Sequence, residues 1–375
     1  MASVSKPQRV VIVGGGPAGA SVAITLANRG LTPIILESRQ QPDLKVGECL
    51  PPSAGPILQQ LGLSEQLQRD GHLPSYGNRF VWGTPTPVER DYIFGTQGHG
   101  WQLDRARFEA TLMNRARTDG ADWRCGTRLV KCIWQHGCWT LIVKTPSGDS
   151  TLEADFVVDA TGRASRLARQ VGARQLRHDR LVGAALLLKS QRGEGIKESF
   201  TLVEAVRSGW WYSGRLPDEK LMAVYFTDSD LLDRKVLKTS GWFALLRETE
   251  HTHSRVREGN YKTLAEPHVL AAHAARLDVI AGERWLAVGD AAAAYDPLSS
   301  YGISSALGGG FYAASAIVDS FAGSRDALPA YMRIIEQAYA QYLIVHQETY
   351  ALERRWPDEL FWKRRHESVT TRGLS

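Results

Sequence analysis

Residues 9–27 constrain this chain more than any other segment. Arg9-Val-Val-Ile-Val13 is a β-branched run of the kind that forms a buried parallel strand. It leads directly into Gly14-Gly15-Gly16-Pro17-Ala18-Gly19 and then an apolar-periodic stretch through Ala27. Strand, glycine turn and helix in that order predict a dinucleotide-binding unit. Gly14 permits the tight turn, Gly16 lets the backbone approach a pyrophosphate, Gly19 lets helix and strand pack closely, and the diphosphate sits at the helix N-terminus. Thr32-Pro-Ile-Ile-Leu36 reads as the second strand, and Glu37 at its end stands where a carboxylate accepts both ribose hydroxyls. The competing reading, a glycine-rich loop that binds nothing, is disfavoured by the strand and helix on either side.

These features do not separate NAD from FAD, and the rest of the chain must decide. A nicotinamide dehydrogenase would continue with further βα units, but Lys45-Val-Gly-Glu-Cys-Leu-Pro-Pro52 interrupts the alternation. Far away, Phe156-Val-Val-Asp159-Ala-Thr-Gly162-Arg163 and Trp285-Leu-Ala-Val-Gly289-Asp290 are again strand-like runs ending in small and acidic residues. One nucleotide domain built from separated pieces of chain is implied.

That distribution resembles the para-hydroxybenzoate hydroxylase superfamily of FAD-dependent monooxygenases. The resemblance implies that Gly14, Gly16, Pro17, Ala18, Gly19 and Glu37 bind the ADP part, with Ser38 and Arg39 beside them. Arg105 matches the family arginine that opens a long helix and contacts the flavin, and Leu129 a residue whose backbone meets the adenine. Asp159 and Arg166 belong to a second motif that closes around the pyrophosphate, and Gly289 and Asp290 to a third, whose aspartate accepts the ribityl hydroxyls. Taken singly, Asp159 reads equally as a helix cap, Asp290 as a turn residue and Arg105 as a solvated helix charge.

Val46-Gly-Glu48-Cys-Leu-Pro-Pro-Ser53 and Asp296-Pro-Leu-Ser-Ser-Tyr-Gly302-Ile303 are similar to the branch holding flavin-dependent halogenases, geranylgeranyl-type reductases and the LodB/GoxB-like flavoproteins. In the halogenase version of the second motif, Phe-x-x-Pro-x-x-Ser-x-Gly, this chain keeps Pro297, Ser300 and Gly302 but has Ala294 for the phenylalanine. It also lacks the halogenase Trp-x-Trp-x-Ile-Pro, since Gly209-Trp210-Trp211-Tyr212 has the wrong spacing. Its compact length fits the LodB/GoxB group, which matures cysteine tryptophylquinone by oxygenating a tryptophan of a partner protein. The resemblance therefore implies aromatic hydroxylation through a flavin hydroperoxide, with dioxygen as co-substrate and a quinone-cofactor oxidase precursor as protein substrate. Halogenation, alkene reduction and a non-catalytic flavin-binding maturation role are the alternatives. With one dinucleotide fingerprint, the reductant is NAD(P)H visiting transiently or a separate flavin reductase. Residues 297–303, including Ile303, are expected to line the flavin. Lys45 and Glu48 are the ionisable pair beside it, as a proton source or as a loop anchor.

The fold expected is α/β. A Rossmann-like FAD domain comprises residues 1–75, 100–175 and 276–327, an antiparallel-sheet substrate domain residues 76–99 and 176–275, and a helical region residues 328–375. Trp210, Trp211 and Tyr212 are candidates to line the substrate cavity, though strand aromatics more often pack in the core. A long C-terminal helix is expected on the nucleotide domain, with an exposed basic tail at Lys363, Arg364 and Arg365. The 375 residues carry a net charge of +5 spread along the chain, which disfavours nucleic-acid binding. Four cysteines without a C-x-x-C pair read as reduced thiols of a cytoplasmic protein, and the histidines, His251-Thr-His253 included, predict no metal. No apolar run reaches the roughly 18 residues of a membrane span, and no signal segment is evident.

Overall fold

The computed structural model describes residues 8–41, 46–191, 193 and 195–367. Lys45 lies outside the described residues. A six-stranded sheet is ordered Ala281–Gly282, Trp285–Ala287, Phe156–Asp159, Val10–Val13, Ile34–Leu36 and Asp122–Arg124, parallel except for the edge hairpin of the first two. Burial on both faces explains why Val10–Val13 and Phe156–Asp159 read as unbroken apolar runs. Register brings distant segments to one edge. Val13 pairs with Leu36 on one side and Asp159 on the other, and Asp159 pairs with Ala287. The turns after these strands are therefore neighbours.

Helix Pro17–Ala27 packs against helix Gly302–Phe321 at close range. A Cβ at Gly310 would lie 2.6 Å from the Ala18 carbonyl oxygen, and Ser21 Oγ donates to the Leu307 carbonyl at 2.6 Å. An antiparallel meander, Arg128–Gln135, Cys138–Thr145 and Gly148–Ala154, contributes to the core on the other side of the sheet.

The second sheet has eight strands. Its central run is Leu181–Ser190, Lys220–Asp228, Gly209–Leu216 and Phe200–Val206, all antiparallel, and Gly77–Val81 joins it parallel to Phe200–Val206. Together with the C-terminal helices this is the mixed α/β architecture that the sequence predicts. Strand alternation separates the aromatics of Gly209–Leu216. Trp210 is buried against Phe226 at 4.1 Å between ring centroids, while Trp211 faces the opposite layer against Trp242. Both tryptophans are core residues. Trp211 Nε1 and Tyr212 Oη are both buried without hydrogen-bond partners among the described residues.

Helix Ala327–Ala351 begins on the nucleotide sheet, where Tyr331 Oη donates to the Ala287 carbonyl at 2.7 Å. Its far end crosses to the second sheet. Trp82 Nε1 donates to the Thr349 carbonyl at 2.8 Å, and Trp210 Nε1 donates to Tyr350 Oη at 3.0 Å. The helix thus binds both lobes rather than the nucleotide domain alone.

The expected exposed basic tail is corrected in the same region. Residues 360–367 form a helix in which Arg365 is buried and pairs with Asp228 at 2.9 Å, while Arg364 pairs with Asp228 at 2.8 Å and Asp230 at 2.7 Å. Asp228 is itself buried at the end of its strand and needs these cations as partners. Of the three basic residues only Lys363 points to solvent. His251 and His253 open a helix. The buried Glu204 accepts from the backbone N–H groups of Glu250, His251 and Thr252 there. Among the described residues no metal-binding cluster is found and no helix is long and apolar enough to cross a membrane.

Tyr350 Oη also donates to Asp296 Oδ2 at 2.8 Å, so it bridges the second sheet to the loop after the nucleotide sheet. Tyr350→Phe should leave the buried Trp210 N–H without an acceptor and destabilise the protein by about 1–3 kcal/mol. Denaturant unfolding checks this, and an unchanged midpoint would show that the bridge contributes nothing.

Candidate active site

The glycines after the first strand divide their work. Gly14 has φ +111°, and a Cβ there would lie 2.2 Å from the Ala160 carbonyl oxygen, so only glycine fits the crossing of two loop backbones. At Gly19 a Cβ would lie 2.0 Å from the Gly14 carbonyl oxygen. Gly16, by contrast, caps the helix with open space where its side chain would be. Pro17 and Ala18 begin the helix, and Ala18 meets the third turn, where a Cβ at Gly289 would come within 2.7 Å of Ala18 Cβ.

Glu37 closes the near end. Its Oε2 accepts from the Gly15 N–H at 2.8 Å and its Oε1 from the Arg39 N–H at 2.8 Å, with Ser38 Oγ at 3.3 Å. A carboxylate offers about four acceptor positions, so capacity for hydroxyl donors remains. A narrow cleft beside it is lined by Gly15, Glu37, Arg39, Met113, Trp123 and Cys125 among others. Sequence reasoning missed Trp123. It lies on a short strand paired to Ile35, a signal too brief to read without the tertiary pairing. Leu129 does not line this cleft. Its side chain is buried in the core of the meander.

Asp159 is fully buried, and its oxygens are occupied by the protein itself. Oδ1 accepts from the Thr161 N–H at 2.9 Å and Thr161 Oγ1 at 2.7 Å, and Oδ2 from the Ala168 N–H at 2.7 Å. The residue shapes the 160–168 turn and caps a helix. Arg166, whose N–H donates to Thr161 Oγ1 at 2.7 Å, is exposed beyond that turn. Asp290 keeps a half-buried carboxylate 3.5 Å from Arg163 Nε. Arg163 is held in turn by the His273 and Tyr295 carbonyls.

Arg105 is no solvated helix charge. It is nearly buried, donates to the Gly47 carbonyl at 2.7 Å and the Val46 carbonyl at 3.2 Å, and pairs with Glu109 at 2.7 Å. These bonds pin the turn that presents Glu48. Glu48 is 1% exposed, and among the described residues neither of its carboxyl oxygens has a hydrogen-bond partner. Burial raises its pKa to about 7 against the pull of Arg105. Burial and the Glu48 charge push the neighbouring Cys49 thiol up to about 12, with the nearby Ser300 hydroxyl opposing the shift. The Cys49–Leu50 strand thus lies near the 297–302 turn. Asp296 holds this turn by accepting from the Leu298 N–H at 2.8 Å. Pro297–Ser299 is one turn of 3₁₀ helix, Ser300 is left-handed, and Gly302, with open space at its missing side chain, begins a 20-residue helix. Ile303 points into the nucleotide-domain core.

Four turns at one sheet edge, an open glycine before a helix and two acidic residues at strand ends fit an ADP-containing dinucleotide. The match to the FAD binding domain model over residues 8–197 decides which dinucleotide. The chain belongs to the FAD-binding-domain family. This flavoprotein is 31% identical over 360 residues to LodB of Marinomonas mediterranea, named as an FAD-dependent oxidoreductase, covering 95% of this chain and 96% of that protein. It is 25% identical to the 1H-pyrrole-2-carbonyl-[peptidyl-carrier protein] brominase of Pseudoalteromonas luteoviolacea, over 87% and 81% of the two chains. The myxobacterial chondrochloren halogenase CndH has the same fold, with a TM-score of 0.87 at 21% identity over 97% of this chain and 88% of that one. So does QhpG, a peptidyl tryptophan dihydroxylase essential for tryptophylquinone cofactor biogenesis, with a TM-score of 0.76 at 24% identity over 96% and 79%. The protein is an FAD-dependent oxidoreductase.

A cavity of about 300 Å³ opens elsewhere, between the C-terminal helices and the second sheet, and contains none of the predicted site residues. Its carboxylate Asp228 and its arginines Arg364 and Arg365 are paired with one another.

The Glu48 environment has a thermodynamic signature. Its folded pKa lies above the unfolded value, so its contribution to stability is full below pH 4.5 and is lost as pH rises through about 7. In the FAD-free protein, Glu48→Gln should be more stable than wild type above neutrality, by on the order of a few kcal/mol, and the two should converge in acid. Melting temperatures measured across pH check this, and a constant offset would contradict it.

Proposed function

We propose that this flavoprotein hydroxylates an aromatic ring, that of a tryptophan in a partner polypeptide destined to carry cysteine tryptophylquinone. The observation that carries the reading is Glu48, a buried carboxyl with a pKa near 7 and no protein partner among the described residues, beside the 297–302 turn. Bound and reduced, FAD supplies the activation of dioxygen. Gly14, Gly16, Gly19, Glu37 and the 160–166 turn would hold its ADP portion, Asp290 its ribityl hydroxyls, and Arg105 and residues 297–302 its ring. The chain's own contribution to the chemistry is a proton held at a Glu48 oxygen in a dry site, within reach of neutral pH, and the clamp of Arg105 that aims it.

The protein substrate is supported by the end-to-end relation to LodB and by the resemblance to the tryptophylquinone-maturing group. It also agrees with the description of QhpG. Halogenation of a small aromatic is the second reading, favoured by the brominase relative. Against it stands the absence of Trp-x-Trp-x-Ile-Pro, together with the core positions of Trp210 and Trp211. The reductant is NAD(P)H or a separate flavin reductase.

Intact-mass and peptide-map analysis of a quinone-oxidase precursor polypeptide tests the reading, after incubation with the protein, FAD, a reducing system and air. One-oxygen mass steps on a tryptophan are expected. Flavin that cycles and yields only hydrogen peroxide, with no mass change on the precursor, would overturn it. A halogenated small aromatic on adding halide would establish the second reading.

A further inference from the structure

The cavity of about 300 Å³ at the C-terminal helices has a wall that reaches the 297–302 turn. His346 and Tyr350, one helical turn apart on Ala327–Ala351, line it, and both hydrogen-bond to Asp296 Oδ2, at 3.1 Å and 2.8 Å. The other oxygen of that carboxylate, Oδ1, accepts from the Leu298 N–H inside the turn. Asp296 thus faces the turn with one oxygen and the cavity wall with the other. At the rim the Arg180 side chain is 60% exposed, so the cavity meets solvent, and its volume holds several water molecules.

The charges around the cavity do not cancel evenly. Arg364 and Arg365 pair with Asp228, and Arg364 and Arg180 pair with Asp230. Asp179 and Asp296 have no arginine within salt-bridge distance among the described residues. Asp179 accepts from the backbone N–H groups of Leu181 at 2.8 Å and Ala274 at 3.0 Å, and burial together with the Asp296 charge pushes its pKa up. Tyr342 and Tyr350, beside Asp296, are held far above the ordinary phenol range by burial and stay protonated. Among the described residues that line the cavity, the groups that can become cationic near neutral pH are therefore His178 and His346, edge to face with ring centroids 5.8 Å apart. Of the two, His346 is the one bonded to Asp296. The ionised carboxylate can only accept, so the proton between them sits on Nε2, and Nδ1 is the atom that takes a second one.

We infer that His346 is a proton-uptake site that balances charge when the bound cofactor is reduced, with cavity water as the proton source and Asp296 as the link to the turn. The assignment rests on the reading that residues 297–302 face the flavin ring, and goes beyond it by naming the group that answers to the cofactor's charge. A hydride donor, a reduced nicotinamide or flavin, delivers two electrons and one proton, so the cofactor gains one negative charge and the donor leaves oxidised. His346 Nδ1 takes one further proton from solvent through the cavity, imidazole becomes imidazolium, and the net charge of the site is unchanged. His346 acts through Asp296, as a positioning residue. The coupling is reciprocal: reduction favours the imidazolium, and the imidazolium favours reduction.

The test follows one imidazole and one potential. In the FAD-loaded wild-type protein labelled at histidine, the NMR titration of His346, assigned by its nuclear Overhauser contacts to Tyr342 and Tyr350, is recorded oxidised and again after anaerobic reduction. Its midpoint should rise by about one pH unit on reduction, the effect of one added charge within a buried site. The flavin reduction potential is then measured against pH by equilibration with redox dyes. Wild type and His346→Gln, whose amide still donates to Asp296, should share one potential where histidine is neutral and diverge below about pH 6, wild type being the higher. An identical His346 midpoint in the two redox states, or parallel potential curves for wild type and His346→Gln, overturns the inference. A flavin ring bound away from the 297–302 turn overturns both this inference and the placement on which it rests, whereas a ring at the turn with an unresponsive His346 overturns the inference alone. The mass analysis of the partner protein reports separately on the reaction.

Discussion

The buried carboxylate of Asp296 is the tie on which the two lobes and the site between them depend. It accepts from the Leu298 N–H, from Tyr350 Oη at 2.8 Å and from His346 Nε2 at 3.1 Å, while its own N–H donates to Tyr342 Oη at 3.0 Å. Burial pushes its pKa up, but these hydrogen bonds and the neighbouring imidazole hold it below the usual carboxylate range. One group thereby fixes the 297–302 turn to the C-terminal helix, and through Tyr350 to Trp210 of the second sheet. Without the helix, the turn facing the proposed flavin site would have no anchor on that side.

A second clamp works from the opposite direction. Arg105 opens its helix with Asp104 as the N-cap and spends its guanidinium on the 46–47 carbonyls and Glu109. Gly47, at φ +98°, makes the sharp turn that these bonds require. The Glu48 carboxyl that follows has no hydrogen-bond partner among the described residues. A clamp that supports a carboxyl without satisfying it is a costly arrangement for stability alone, and such costs are tolerated where a ligand completes the bonding.

The nucleotide half was legible because its determinants are local. Strand, glycine turn and helix follow one another within residues 9–27, and the later turns repeat the pattern of an apolar run ending in small and acidic residues. What the sequence could not show depends on contacts across the fold. Trp123 lines the cleft only because its strand pairs with Ile35. The basic tail looked solvated because its partners, Asp228 and Asp230, lie more than a hundred residues earlier. Asp159 reads equally as cofactor contact and as cap from sequence, and the structure adds its three hydrogen bonds to the 160–168 turn.

The crystal structure of the FAD-loaded protein tests the central claim most directly, namely that separated turns hold one flavin with its ring toward Glu48. The account predicts the pyrophosphate over Gly16, the ribityl chain at Asp290, and the ring between residues 297–302 and Glu48. A flavin whose ring touches neither the 297–302 turn nor the side on which Glu48 lies would contradict it.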